Sequence, residues 1–147
     1  MTEKELRNFL IDKIPVTESL GFEVLKLSPL EVQIKAPLSL NKNHMDSAFG
    51  GSLSTLMILT CYSWLFGVLG AHGSEFHIVI KDATTKFMIP VTEDIVVVCR
   101  APDIADVKKF LDAYDKKGIA RIKLNSCVEL SNQSVACQLE GTFVATK

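Results

Sequence analysis

One stretch of the chain decides the fold, namely residues 41–52, NKNHMDSAFGGS, which lead into an apolar segment ending near Gly70. The stretch is polar and rich in asparagine up to Ser47, and the glycine pair Gly50 and Gly51 then opens the apolar segment. A polar loop that meets two glycines at the start of a buried helix exposes backbone N–H groups, which bind anionic oxygen atoms. We therefore predict that the chemistry of this protein takes place at this loop.

The apolar segment predicts one long helix, roughly residues 51–69, closed by Gly70 and Gly73. No Asp, Glu, Lys or Arg occurs between Ser47 and Ser74, and a helix of this length is long enough to cross a bilayer. The hydroxyl side chains within it and the lack of basic flanks favour instead a helix that protein surrounds on several sides. We predict no membrane span.

The rest of the chain alternates apolar and polar residues in short runs, as antiparallel strands do. Thr2 and Glu5 have the spacing of a capping box, which predicts a short first helix that stops before Pro15. An amphipathic helix is predicted from Pro102 to Gly118. The predicted strands are residues 22–27, 31–36, 76–88, 94–101, 119–130 and 134–146. Together these elements predict one α+β domain over residues 1–147, in which a curled antiparallel sheet wraps around the buried helix.

The bulk composition excludes several functional classes. The chain has 147 residues, a formal net charge of −1 and 48% hydrophobic residues, which indicates neither a disordered chain nor a nucleic-acid-binding protein. The four cysteines lie far apart without a Cys-x-x-Cys pair, which disfavours a metal site and predicts buried thiols in a reducing compartment; they are Cys61, Cys99, Cys127 and Cys137. Residues 1–13 mix charged and apolar side chains, unlike a secretory signal, so we expect a cytoplasmic protein.

Three motifs of this sequence resemble those of the hotdog-fold thioesterase superfamily. They are Ala48-Phe49-Gly50-Gly51-Ser52-Leu53, Phe87-x-x-Pro90 and Gly118-Ile119-Ala120-Arg121-Ile122. From about Ile14 to Val144 the chain is similar to the small thioesterases that also occur as the C-terminal half of proteins with an N-acetyltransferase domain. The family that it resembles includes malonyl-acyl-carrier-protein decarboxylases, which help to start fatty acid synthesis.

The resemblance implies a hotdog fold and a substrate held as a thioester on coenzyme A or acyl carrier protein. Coenzyme A or phosphopantetheine is then part of the substrate, so neither a separate cofactor nor a metal is expected. The resemblance also implies a homodimer whose sheets join edge to edge, with active sites between the subunits. It leaves a tetramer open.

The same resemblance assigns roles to residues around the loop. Asn43 and the N–H group of either Gly50 or Gly51 are the candidate donors to a thioester oxyanion, and the sequence does not say which of the two glycines donates. The candidate substrate-binding residues are Asn41, Phe49 and Ser52 near the loop, and Thr84, Thr85 and Lys86 on a strand of the other subunit. From the residues alone another interpretation stays open, in which Asn43 only caps a turn and the glycines only let helix and sheet pack closely.

The type of reaction depends on a general base, which the apolar helix does not supply. Positions 54–62 read STLMILTCY, whereas many hotdog hydrolases carry Asp or Glu in this part of the helix. Hydrolysis then requires His44 or Asp46 to activate water, although both are also common as ordinary loop residues. Malonyl decarboxylation needs oxyanion stabilisation without activated water and is the alternative reaction. A non-catalytic module that binds acyl thioesters is the alternative from another functional class.

Overall fold

A six-stranded antiparallel sheet forms one wall of the domain in the computed structural model, which describes residues 1–73 and 75–147. Its strands are β1 (Glu23–Leu27), β2 (Glu31–Ala36), β3 (His77–Phe87), β4 (Ile95–Arg100), β5 (Ile119–Glu129) and β6 (Val135–Thr146). Their order across the sheet is β1-β2-β4-β5-β6-β3, and neighbouring strands are antiparallel throughout. The predicted strands are confirmed, with ends that differ by no more than one residue.

The long apolar segment forms α3 (Gly50–His72), which packs against the inner face of the sheet as predicted. Leu56 on α3 is fully buried, and the buried Thr60 hydroxyl donates to the Leu56 carbonyl at 2.7 Å. From the sheet, Ser126 Oγ donates to the Met57 carbonyl at 2.9 Å, which fastens strand to helix. α3 is long and apolar enough to cross a membrane, but here it is the core helix of the domain.

The other helices of the described residues are α1 (Glu3–Lys13), a 3-10 helix (Pro15–Leu20), α2 (Leu38–Asn41) and α4 (Ile104–Lys117). The predicted capping box of α1 is confirmed, since Thr2 N donates to Glu5 Oε2 at 2.7 Å and Glu5 N donates to Thr2 Oγ1 at 3.2 Å. α4 buries Phe110 and Tyr114 and turns its charged side to solvent, as its pattern indicates. The 3-10 helix and α2 are not predicted, because segments of six and four residues are too short to show a helical period.

β3 is an edge strand and the least covered strand of the sheet. Most of its side chains are exposed, including Val79 at 59%. Its one neighbour is β6, and a bulge between Ile80 and Asp82 interrupts that pairing. A strand of eleven residues with a free edge presents a row of backbone groups that can pair with another chain.

Candidate functional site

The loop before α3 is a tight turn that its own backbone closes. Lys42 and Ala48 form an isolated antiparallel bridge, and Asn43 N donates to the carbonyl of Ser47 at 2.7 Å. Asp46 has φ +59°, in the left-handed region that Asp tolerates better than most residues do. The turn therefore has one defined shape, and it leads directly into the first residues of α3.

The side chain of Asn43 organises this turn. Its Oδ1 accepts hydrogen bonds from Met45 N at 2.8 Å and Ser47 N at 3.2 Å, and its Nδ2 donates to Ser47 Oγ at 3.0 Å. A side-chain amide has two N–H groups, and among the described residues this is the one bond that Nδ2 makes. Asn43 is half-buried, so its second N–H group is available to an oxygen atom of a ligand. Asn43 thus caps the turn and also has one side-chain N–H group without a partner among the described residues.

Asn41 differs from Asn43 in its burial and its partners. It is 2% exposed, and its Nδ2 donates to the carbonyls of Leu20 at 2.9 Å and Pro37 at 2.8 Å. Its backbone carbonyl accepts the N–H of Phe49 at 2.7 Å. Asn41 therefore joins the end of the 3-10 helix, the residue before α2 and the residue before α3. Because both of its side-chain N–H groups are used within the protein, Asn41 positions the loop and has no donor left for a substrate.

α3 begins without a capping side chain. Phe49 occupies the N-cap position, and its carbonyl accepts the N–H of Leu53 at 3.0 Å. The N–H groups of Gly50, Gly51 and Ser52 make no hydrogen bond within residues 1–73 and 75–147. The first N–H groups of a helix carry the positive end of its dipole, which attracts an anionic oxygen. The start of α3 therefore offers the N–H groups of both glycines, one of which was the predicted donor, and a further N–H group at Ser52.

Two exposed phenylalanine rings flank these N–H groups. The Phe49 ring lies against Gly51, where its Cζ would be 2.9 Å from an added β-carbon, and the Phe87 ring would be 3.7 Å from one at Gly50. Phe49 is 57% exposed and Phe87 is 54% exposed, so the rings form an apolar rim beside the donors. The sequence does not assign Phe87 to the site, although it opens the Phe87-x-x-Pro90 motif, because only the pairing of β3 with β6 carries it to the start of α3.

Gly51→Ala is expected to lower kcat/KM about tenfold or more, and Gly50→Ala much less. A β-carbon at Gly51 displaces the Phe49 ring from its place beside the donors, whereas one at Gly50 makes an ordinary contact with Phe87. Neither glycine has a positive φ, so alanine can adopt the same backbone at both positions and both variants are expected to fold. Thermal melting and steady-state kinetics on the acyl thioesters that the resemblance implies as substrates test this pair. Equal kcat/KM values would show that the position of the Phe49 ring is unimportant.

The candidate substrate-binding residues on β3, namely Thr84, Thr85 and Lys86, lie on different faces of the sheet. Thr85 pairs with the buried Leu139 and therefore faces the α3 side of the sheet, whereas Thr84 and Lys86 alternate onto the outer face. There they line a cavity of about 700 Å³ together with Arg100. Within one chain, the structure brings Thr85 to the face that carries α3 but does not bring Thr84 or Lys86 there.

The two candidate bases lie on the outside of the loop. Asp46 has a side chain that is 79% exposed and pairs with Lys42 Nζ at 3.1 Å. His44 is exposed, and its ring makes no hydrogen bond in the described part of the chain. α3 carries no Asp or Glu from Gly50 to His72. α3 therefore supplies no carboxylate as a general base, and His44 and Asp46 stay the candidates that the sequence predicts.

Most of the cysteine side chains are buried inside the domain. Cys61, Cys99 and Cys137 are buried as predicted, whereas Cys127 is half-buried. Contact with the Cys61 thiol, together with burial, holds the pKa of Cys99 well above its usual value, and burial raises the pKa of Cys127 and of Cys137. The thiolate is the nucleophilic form, so these three thiols are poor nucleophiles. Among the residues that the structure describes, no cluster of three or more His, Cys, Asp or Glu side chains could hold a metal ion.

Comparison with protein families covers nearly the whole chain. Residues 3–147 match the family described as "Putative thioesterase (yiiD_Cterm)". The chain belongs to this thioesterase family. The resemblance seen in its motifs is thereby confirmed, and membership supports a thioesterase-like function on acyl thioesters. Comparison with curated proteins finds no match.

Solved structures share the fold of this thioesterase-family protein. A protein of unknown function from Chlorobaculum tepidum has a TM-score of 0.92 at 25% identity, covering 99% of this chain and 94% of that chain. A structure from Shewanella oneidensis, described as a "putative thioesterase", has a TM-score of 0.87 at 26% identity, covering 99% and 97%. A probable thioesterase from Pseudomonas aeruginosa has a TM-score of 0.77 at 20% identity, covering 99% of this chain and 96% of that chain. At this identity the match supports the fold alone. These matches confirm the predicted hotdog fold.

Proposed function

We propose that this protein is an enzyme that hydrolyses acyl thioesters of coenzyme A or acyl carrier protein at the start of α3. The observation that carries the proposal is the row of N–H groups at Gly50, Gly51 and Ser52 that have no partner among the described residues. When water attacks a thioester, the carbonyl oxygen gains negative charge, and positioned donors stabilise that oxygen. The second N–H group of Asn43 is the proposed side-chain donor.

In the proposed hydrolysis, His44 accepts the proton of the attacking water. A neutral imidazole has a ring nitrogen that accepts a proton, and the His44 ring is exposed and makes no hydrogen bond in the described part of the chain. Asp46 is the other candidate, but its carboxylate pairs with Lys42 and its backbone supplies the left-handed turn. His44→Gln is therefore expected to lower kcat about 10²-fold, whereas Asp46→Asn, which tolerates the same turn, is expected to leave kcat nearly unchanged. The reverse result in steady-state assays would assign the base to Asp46.

Malonyl decarboxylation is the second candidate reaction, and the composition of α3 favours it. From Gly50 to His72 the helix carries no carboxylate to activate water. Cleavage of the bond to the carboxylate of a malonyl thioester releases carbon dioxide and leaves its electron pair as an enolate. The same N–H groups would stabilise the enolate oxygen, and a proton from solvent would complete the acetyl thioester.

Product analysis by mass spectrometry separates these proposals. The purified protein is incubated with malonyl and medium-chain acyl thioesters, each on coenzyme A and on acyl carrier protein. Free thiol released from the acyl substrates supports hydrolysis, and an acetyl thioester formed from the malonyl substrate without free thiol supports decarboxylation. Saturable binding without a product supports a non-catalytic module. Neither binding nor product with any substrate would refute the proposal.

We also propose that the protein forms a homodimer through the free edge of β3. Support comes from the length of this strand and from the exposure of both of its faces. Pairing of two β3 strands would join two sheets edge to edge and cover apolar side chains such as Val79. It would also bring a second chain close to Phe87 and hence to the start of α3. The site proposed above would then lie beside the subunit interface.

The double substitution Val79→Lys and Ala83→Lys is expected to convert the dimer to a monomer. Both side chains are exposed on β3, so the change is expected to alter the free energy of unfolding of one chain by about 0.5 kcal/mol or less. Lysine on an edge strand opposes pairing with another edge. Sedimentation velocity measures the mass and also detects a tetramer. Val16→Lys, at an exposed apolar position on the 3-10 helix, is the control, and an unchanged mass in the double variant would contradict dimerisation through β3.

A further inference from the structure

One face of the core helix α3 is not covered over its first three turns. Over residues 53–62 of this otherwise buried helix, the residues that are not buried are Ser54, Thr55, Ile58 and Tyr62. They are spaced by one helical turn, so they lie on one face together with the exposed Gly51. The uncovered face therefore begins at the proposed oxyanion donors and runs along the helix.

β3 passes over this uncovered face. The Phe87 ring would be 3.7 Å from a β-carbon at Gly50, and the ring of Phe76, the residue before β3, has its centroid 5.3 Å from that of Phe66. At about 100° per residue, Gly50 and Phe66 lie on opposite sides of the uncovered face. β3 is thus anchored to α3 on both sides of that face. Elsewhere the two elements lie apart, since α3 contacts β3 less extensively than it contacts β2, β4, β5 or β6.

The inner face of β3 is uncovered in the same region. Ile80 pairs with the buried Phe143 and Ala83 pairs with the buried Gly141, so both face the α3 side of the sheet. Even so, Ile80 is 37% exposed and Ala83 is exposed. A groove therefore separates the two elements. The side chains that define this α3–β3 groove are Thr55, Ile58 and Tyr62 on α3 and Ile80, Ala83 and Thr85 on β3.

Aromatic rings close the far end of the α3–β3 groove. The Tyr62 and Phe66 ring centroids are 6.1 Å apart, and the Phe66 and Phe9 centroids are 4.4 Å apart. Leu65 and Leu69 continue the same face of α3, and both are fully buried. The groove is therefore open from the donors to Tyr62 and closed beyond it.

The walls of the α3–β3 groove carry no charged side chain. Thr55 Oγ1 donates to the carbonyl of Gly51 at 2.8 Å, so its hydroxyl hydrogen is used within the helix. Burial raises the pKa of the Tyr62 phenol, which stays neutral near physiological pH. A hydrocarbon chain is stabilised on such a surface, whereas the carboxylate of a malonyl group would lose water and meet no cation on these walls.

The uncovered face has the length of a medium acyl chain. Ile58 lies seven residues after Gly51, which is about 10.5 Å along the helix. Helical side chains lean toward the N-terminus, so the Tyr62 ring covers the surface next to Ile58. Carbon–carbon bonds of about 1.5 Å at a tetrahedral angle extend a hydrocarbon chain by about 1.25 Å per atom. About eight carbon atoms therefore reach from the donors to Tyr62.

We propose that the α3–β3 groove binds the acyl chain of the thioester and that Tyr62 limits this chain to about eight carbon atoms. The inference rests on the proposed function, because the donors at the start of α3 then hold the thioester carbonyl at the open end of the groove. It does not depend on the proposed dimer. It names uncharged medium-chain acyl groups as the substrates, which favours hydrolysis over the malonyl reaction.

Isothermal titration calorimetry with thioether analogues, which cannot be hydrolysed, tests the groove on the full chain. The probes are S-butyl, S-octyl and S-dodecyl chains, each on coenzyme A and on acyl carrier protein. Each buried methylene is expected to tighten binding about threefold, so the octyl probe is expected to bind more than about tenfold tighter than the butyl probe. The dodecyl probe is expected to bind within about threefold of the octyl probe, because Tyr62 stops the longer chain.

Tyr62→Ala is expected to let the dodecyl probe bind about tenfold or more tighter than the octyl probe. Tyr62→Phe keeps the ring and is the matched control, with the chain-length preference of the wild type. Ile58→Phe fills the groove closer to the donors and is expected to weaken octyl binding about tenfold without affecting butyl binding. Because Ile58 is half-buried beside the groove, this second variant tests the same proposal if Tyr62→Ala does not fold.

Four results would overturn the proposal. They are no binding of any probe, equal affinities for butyl and octyl, tighter binding of dodecyl than of octyl to the wild type, and an unchanged preference in the folded variants at Tyr62 and Ile58. Equal affinities would mean that the uncovered face of α3 is occupied by a second copy of the chain. Hydrolysis of an octanoyl thioester is measured separately, so octyl binding without hydrolysis would support the groove and refute the proposed reaction.

Discussion

Asn43→Asp is expected to leave the protein folded and to lower kcat about 10²- to 10³-fold. Aspartate retains the oxygen that accepts from Met45 N and Ser47 N, and it supports the same kind of turn. It loses both N–H groups of the amide and places a negative charge where the thioester oxygen is proposed to become anionic. Steady-state kinetics on the proposed acyl-thioester substrates, with thermal melting alongside, measures both consequences.

Ser47→Ala is the matched control for this prediction. It removes the hydroxyl to which Asn43 Nδ2 donates at 3.0 Å, but it leaves both N–H groups of Asn43 present. The loss of one such hydrogen bond is worth about 1 kcal/mol, so kcat is expected to fall less than about tenfold. Wild-type kcat in Asn43→Asp would show that Asn43 serves only the turn. An unfolded Asn43→Asp variant would show that the acceptor bonds are not preserved.

Asn41→Asp is expected to lower the free energy of unfolding by about 3–5 kcal/mol at neutral pH. The side chain is 2% exposed, and its Nδ2 donates to the carbonyls of Leu20 and Pro37. Aspartate replaces these two donors with an oxygen that faces two carbonyl oxygens and buries a charge without a partner. Urea denaturation measures the loss. Asn43→Asp makes the same chemical change in a turn that reaches solvent. Its free energy of unfolding is therefore expected to fall by less than about 1 kcal/mol.

The pH dependence of Asn41→Asp supplies a second test. Burial favours the neutral carboxylic acid, so the pKa of this aspartate in the folded protein is expected to lie above its unfolded value of about 3.9. The folded state then binds a proton over a pH range where the unfolded state does not, and stability relative to the wild type falls as pH rises through that range. The difference in the free energy of unfolding between Asn41→Asp and the wild type is therefore expected to be smaller at about pH 4 than at about pH 7. A pH-independent difference would mean that the aspartate reaches solvent.

Local patterns in the sequence predicted most of the fold. The strands could be placed closely because the alternation of apolar and polar residues is a property of neighbouring residues. The end of α3 was less predictable, since the helix runs from Gly50 to His72 instead of from 51 to 69. Gly70 keeps helical geometry, and only Gly73, at φ +85°, ends the helix. A glycine permits both conformations, so its identity does not say which one it adopts.

The location of the candidate site at the loop before α3 stays a prediction, and the sequence could not give the hydrogen-bond partners of its asparagines. Asn41 and Asn43 stand two residues apart in one polar stretch, yet one is buried and the other keeps a free donor. The difference arises because the carbonyls of Leu20 and Pro37 take up the side chain of Asn41. Similarly, Thr85 faces α3 because β3 pairs with β6 in one particular register.

The sequence by itself determined the apolar core helix and the polar loop that leads into it, where Gly50 and Gly51 are candidate donors. Charge, periodicity and glycine identity act over a few neighbouring residues, so they can be read directly from the chain. Only the tertiary structure decided that the Asn41 amide bonds to the carbonyls of Leu20 and Pro37 and that Phe87 reaches the start of α3. These features depend on packing between segments that are far apart in the sequence, and local patterns carry no information about such contacts.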